Sequence, residues 1–304
     1  MSQLSKTVRQ DMKRNWSLYL LALPVILFYI LFAYKPMYGA LIAFKDYSPG
    51  RGFSGSPWVG FVNFVRFFKS PYFFRLLKNT FLISFYGLLF GFPAPIILAL
   101  LLNEVRHSKF KRTMQTITYL PHFISLIVIC GMITDFSLST GLFNDIIAFL
   151  GKTRFPLLQE PGLYRPIYIA SDIWQTVGWG TIIYLSALSA IDPQLYEAAM
   201  IDGAGRFRQL LSVTLPSIAP TIVILLILRI GQLLSVGYEK TLLLYNPATY
   251  ETADIISTYV YRVGLLDQNW SYSTAIGLFN SAINFSLLII ANRISRQVSE
   301  TSLW

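Results

Sequence analysis

Six apolar stretches, each close to the length of a bilayer-crossing helix and almost free of charge, constrain this chain more than any other feature. A hydrocarbon core of about 30 Å takes roughly 20 residues of helix at about 1.5 Å per residue. Stretches of that size lie at 18–34, 81–102, 117–136, 166–191, 216–236 and 273–291, the first with an apolar continuation over 38–44. Within hydrocarbon a backbone must satisfy its own N–H and C=O groups, and an α-helix does so inside one segment. The expectation is therefore an all-α integral membrane protein with six transmembrane helices. A cytoplasmic N-terminal segment, 1–16, precedes a membrane domain, 17–304.

Charge agrees with that reading. Only 13% of the residues are charged, against about 25% in soluble domains. The net charge of +10 is read as membrane topology, with no nucleic acid as partner. With the N-terminus inside, the cytoplasmic segments hold twelve Lys and Arg, including Lys6, Arg9, Lys13, Arg14 and the Arg106–Arg112 group. The outside loops also hold twelve but are longer, so density favours N-in and C-in. The start resembles a secretory signal, yet its apolar run is too long and no A-x-A-like site follows, so a retained first helix is expected. The aromatic-rich stretch 63–74 suits either an interfacial helix or a short helix packed on the first span.

Catalytic chemistry finds no footing. Cys130 is the single cysteine, His107 and His122 are the only histidines, and neither H-E-x-x-H nor G-x-S-x-G is present. Gly151-Lys152-Thr153 suggests a Walker A fragment, but Ile146 stands where its first glycine belongs. No cofactor is expected on this chain.

The cytoplasmic loop 192–215 carries the specific signal. Asp192 can cap a helix with Pro193 at its first position, Gly203 and Gly205 permit a turn, and a second short helix starts at Arg206. A helix, glycine turn and helix between two spans suits insertion into a cleft on a partner, although on local chemistry an ordinary connector fits as well. The pattern Glu197-Ala198-Ala199, three residues, Gly203, nine residues, Val213-x-Leu215-Pro216 resembles the EAA motif of binding-protein-dependent ATP-binding-cassette (ABC) importer permeases, with Val213 in place of the usual Ile. Asp202 and Ala204 fit the extended form of the sugar-importer branch. Asn79-Thr80, Tyr119-Leu120-Pro121 and Trp174 resemble sugar permeases, and the stretch from Arg229-Ile230-Gly231 through Tyr245 to Asp254 resembles the LplB-type subgroup, associated with oligosaccharide import.

The resemblance implies a type I importer permease fold in a bacterial plasma membrane, paired with a second, related permease. It also implies two ATPase subunits, which carry the ATP and Mg2+, and an extracytoplasmic solute-binding protein. Glu197, Ala198, Ala199, Asp202, Gly203, Ala204, Leu215 and Pro216 would form the coupling segment seated on the ATPase. The outside loop 237–269 would dock the binding protein.

Polar groups inside spans normally face a cavity or one another. On that ground Arg229, Gln232 and Gln175 are expected along the translocation path, with Trp174, Trp179 and Tyr184 as stacking surfaces for sugar rings. Asn280 and Asn284 share one helix face and join them, or act as interhelical glue. Arg229 either meets substrate, which would suit a uronic acid, or pairs with Asp172 or a carboxylate of the second subunit. An ATP-independent secondary transporter or channel is the alternative, but such carriers use buried carboxylates, and Asp172 is the one offered.

Overall fold

The computed structural model describes residues 11 and 13–298; Lys6 and Arg9, counted above for orientation, lie outside the described residues. Those residues are helical throughout apart from loops and one isolated bridge between Lys45 and Trp58. The long elements are α1 (Trp16–Phe44), α3 (Phe73–Glu104), α7 (Pro161–Ser189), α9 (Arg206–Gly231) and α12 (Trp270–Val298). Shorter ones are α2 (Val62–Phe68), α4 (Ser108–Tyr119), α5 (Leu126–Ser137), α6 (Leu142–Phe149), α8 (Pro193–Ile201), α10 (Tyr238–Leu244) and α11 (Ile256–Tyr261).

Among the described residues, five helical stretches are long and apolar enough to cross a membrane: α1, α3, Leu126–Phe149, α9 and Trp270–Gln297. The 29-residue α7 has the length for a sixth, about 43 Å at 1.5 Å per residue. Arg165, Asp172 and Gln175 lower its apolar character.

The apolar stretch 117–136 is not one helix. Pro121 lacks a donor, and the chain tightens into a 3-10 turn at Leu120–Phe123, extends at Ile124 and restarts at Leu126. Proline explains a second irregularity. A proline ring clashes with the carbonyl four residues earlier, and a π turn relieves the clash by adding one residue. The π turns Tyr29–Tyr34, Gly87–Gly91 and Leu210–Thr214 hold the carbonyls four residues before Pro36, Pro93, Pro95 and Pro216.

Three buried clusters divide the bundle along its length. One joins Ile83, Ile129, Ile133, Tyr164 and Tyr168 with Leu244 and Ile255. A second seats Phe67 of α2 and Leu76 of α3 against Ile256, Tyr259 and Tyr272. Thus 63–74 holds a short packing helix, which lies on α12, with Phe67 edge-on to Phe279 at 5.4 Å. The third, Ala99, Tyr184, Leu188 and Ile218, closes the other end of α7.

Between these ends α7 runs in close contact with α4 at Gly178, where a Cβ would overlap the Thr118 carbonyl. Gly178→Val is expected to cost about 3 kcal/mol, the upper range for overpacking. It should lower the Tm and folded yield of purified protein, with Thr176→Val, on an exposed position of the same helix, as control.

Candidate functional site

The first feature is the helix pair formed by α8 and the foot of α9. Asp192 Oδ1 accepts from the Gln194 N–H at 2.9 Å and caps α8, and Pro193 fills its first turn. Gly203 adopts φ +77, a left-handed conformation that non-glycine residues pay about 1–2 kcal/mol to enter. Its N–H reaches the Met200 carbonyl at 3.0 Å and the Ala204 N–H reaches Ala199 at 2.9 Å, so the chain reverses at once. Tyr196 Oη lies 3.0 Å from Thr214 Oγ1, and Gln209 Nε2 donates to the Ala204 carbonyl at 2.7 Å, fixing α8 to the foot of α9. No residue of α8 is buried; Ile201 is 87% exposed and Phe207 73%. An ordered, tethered helix with bare apolar side chains has the character of an interaction surface.

The second feature is a cavity of about 430 Å³ between α3, α7, α9 and α10, within the range of ligand sites. It is lined by Asp172 and Gln175 of α7, Arg229 of α9, and Gln232 beyond the end of α9. Helix α9 stops at Gly231, and the irregular 232–237 segment lines the same cavity before α10. Non-helical backbone at membrane depth is tolerated where it faces such a space. Arg229 forms no ion pair among the described residues. Asp172 pairs instead with the buried Lys240 of α10, Nζ to Oδ1 at 3.3 Å, and Lys240 also donates to the Tyr168 carbonyl at 3.1 Å.

The remaining expected path residues lie elsewhere. Trp174 lines a separate apolar cavity with Met132, Phe136 and Phe143. Trp179 stacks on His122 at 4.6 Å and 7°, and Tyr184 is buried in the third cluster. Asn284 Oδ1 accepts from the Leu234 N–H at 2.9 Å and its Nδ2 donates to Ser235 Oγ at 2.9 Å, while Asn280 donates to the Leu234 carbonyl at 3.2 Å. The two asparagines hold the irregular segment on α12. The structure therefore brings together Gln175, Arg229 and Gln232, and adds Lys240, whose partner lies 68 residues away. A lone lysine before an apolar Thr-Leu-Leu-Leu run was the available signal.

A third feature joins the 245–262 segment to the bundle. The buried Asp254 carboxylate accepts from Arg75 Nη2 at 3.2 Å, Arg262 Nη2 at 2.8 Å and Thr258 Oγ1 at 3.0 Å. Burial alone would lower the Arg262 pKa; the hydrogen bond and charge of Asp254 outweigh it and hold the guanidinium above its ordinary value. Asn79 donates to the carbonyls of Glu251 and Asp254 at 2.9 and 3.0 Å and accepts from Arg165 at 2.8 Å. Thr80 Oγ1 receives the Ile256 N–H at 2.9 Å. The Gly151-Lys152-Thr153 fragment leads into extended chain, not the helix a phosphate loop requires.

A bundle of long apolar helices, with an exposed helix and glycine turn between two of them and a polar cavity within, defines a multi-pass transport component. The pattern of the family described as "Binding-protein-dependent transport system inner membrane component" matches residues 91–300, and the chain belongs to that family. It is the membrane permease component and not itself an enzyme. More particularly, it is 47% identical to Protein LplB of Bacillus subtilis over 96% of this chain and 92% of that one. It is also 47% identical to the polygalacturonan/rhamnogalacturonan transport system permease protein YteP of the same organism, covering 94% and 90%. A chain in the crystal structure of a bacterial alginate ABC transporter, in complex with an alginate pentasaccharide-bound periplasmic protein, superposes with a TM-score of 0.89. The two chains are 45% identical, with 97% of this chain and 99% of that chain covered.

Proposed function

We propose that this chain forms half of the translocation path of an ATP-driven importer that carries an oligosaccharide across a bacterial plasma membrane. The observation that carries the coupling role is α8 itself, ordered by Asp192 and the Gly203 turn yet with no residue fully buried, at the spacing of the EAA motif. Glu197, Ala198, Ala199, Asp202, Gly203 and Ala204 would sit on the ATPase, with Leu215 and Pro216 leading its motion into α9. A second, different permease completes the path, because the one-sided cavity with Arg229 asks for a complementary half. Two ATPase subunits hold the ATP and Mg2+, so this chain needs no cofactor of its own. A solute-binding protein docks on the outer 237–269 loop, and lipid surrounds the bare α1.

Substrate class follows from the relatives, whose names and complexes concern polygalacturonan, rhamnogalacturonan and alginate. Uronic acid units carry carboxylates, and an unpaired guanidinium in a cavity matches them. A proton- or sodium-coupled carrier is disfavoured because Asp172, the carboxylate it would use, is committed to Lys240.

The test is a crosslink between Ala199→Cys and single cysteines along the groove of the ATPase, in a Cys130→Ser background. Crosslinks whose yield changes on ATP addition are the expected result. An intact complex with no crosslink at any groove position would overturn the coupling role.

A further inference from the structure

The cavity wall holds an ion pair whose two members differ in access. The Lys240 side chain is 5% exposed and the Asp172 side chain 33%. Burying a lysine costs several kcal/mol unless it is paired, and here the pairing carboxylate is the part the cavity can reach. The ammonium has three donors; two are used, on the Tyr168 carbonyl and on Asp172, and its face lies 4.7 Å from the Tyr168 ring centroid. Arg229, on the same lining, has no carboxylate partner among the described residues. Glu239 also lines the cavity, is exposed, and joins no ion pair among the described residues.

From this arrangement we infer that Lys240 and Arg229 form a two-cation subsite for a sugar carboxylate, in which Asp172 holds the place of the substrate carboxylate when the cavity is empty. This rests on the oligosaccharide-import reading and names the substrate group the cavity selects. In the empty state Asp172 neutralises Lys240 and keeps it aimed at the space. An arriving uronate binds Arg229 first, since that cation is free, and then replaces Asp172 on Lys240, leaving Asp172 partly in solvent. A neutral sugar offers no charge to displace Asp172, so the pair stays shut against it. No covalent step is involved; one carboxylate exchanges for another on the same ammonium.

The experiment uses the complete reconstituted importer in liposomes, with trigalacturonate and its methyl ester as probes, and compares acid-to-ester uptake ratios. Lys240→Met/Asp172→Asn removes both charges together, so no unpaired ion is left buried, and assembly is checked by size-exclusion yield. In the double variant the acid-to-ester ratio is expected to fall about tenfold or more, the effect of losing one charge-assisted contact. Asp172→Asn alone is expected to lower the KM for the acid, because it frees Lys240. An assembled double variant with an unchanged ratio, or Asp172→Asn raising the KM, would assign the pair a structural role and overturn the subsite. A wild-type importer that moves the ester as well as the acid would overturn it too. If the wild-type complex moves neither probe nor any other oligosaccharide, the import reading itself fails, an outcome distinct from those.

Discussion

Asp254→Ala is expected to be the most damaging single change outside the membrane core, costing about 3–5 kcal/mol. The buried carboxylate is shared by Arg75, Arg262 and the Thr258 hydroxyl, so its loss leaves two guanidinium groups facing each other without a counter-ion. Asp254→Asn keeps the shape and an acceptor but not the charge, and should lie between wild type and alanine. Because Asn79 and Thr80 grip the same segment through backbone contacts, the damage should spread to the whole 245–262 region. Hydrogen exchange in detergent reads this directly: protection is lost in 250–262, which includes α11, while α8 and the Ser189 end of α7 keep theirs. Equal protection in the variant and wild type would mean the network is ornamental.

Ile201→Asp should have an effect of similar size on assembly and almost none on folding. The side chain is 87% exposed, so the free permease should keep its Tm, as surface changes usually do within about 0.5 kcal/mol. A carboxylate at the centre of a docked apolar contact costs about 2–4 kcal/mol, or roughly 30- to 1000-fold in affinity. Pull-down of the ATPase by the variant, together with ATP-dependent uptake, measures it. Full retention of the ATPase would place the contact elsewhere than α8.

What the sequence made legible follows from how local each signal is. The 192–216 region could be read because its cap, turn glycine and proline act on neighbours within a few residues. Among path residues, Gln175 and Trp174 show the limit. Adjacent positions on a helix point about 100° apart, so one faces the Arg229 cavity and the other a separate apolar one on the α5 and α6 side. Composition could not choose between them. Asn280 and Asn284 were correctly placed on one face, but their task depends on an unwound segment that begins after Gly231, which an apolar count does not reveal. Lys240 was hidden for a different reason. Read along the chain it is a loop charge; only the return of α10 beside α7 buries it. The division of 117–136 was signalled by Pro121, outvoted by the apolar run around it.

The π turn at Leu210–Thr214 has a bearing on which face of α9 the residues above it present. One added residue advances the helical phase by about 100°, so the foot of α9 and the stretch bearing Arg229 are clocked differently although the backbone is continuous. Should the extra residue be absorbed, the upper part of α9 would swivel by that same angle without any hinge opening, and Arg229 would trade the cavity for a neighbouring face. Pro216 opposes that absorption, because a plain α turn there would restore the clash of its ring with the Ser212 carbonyl.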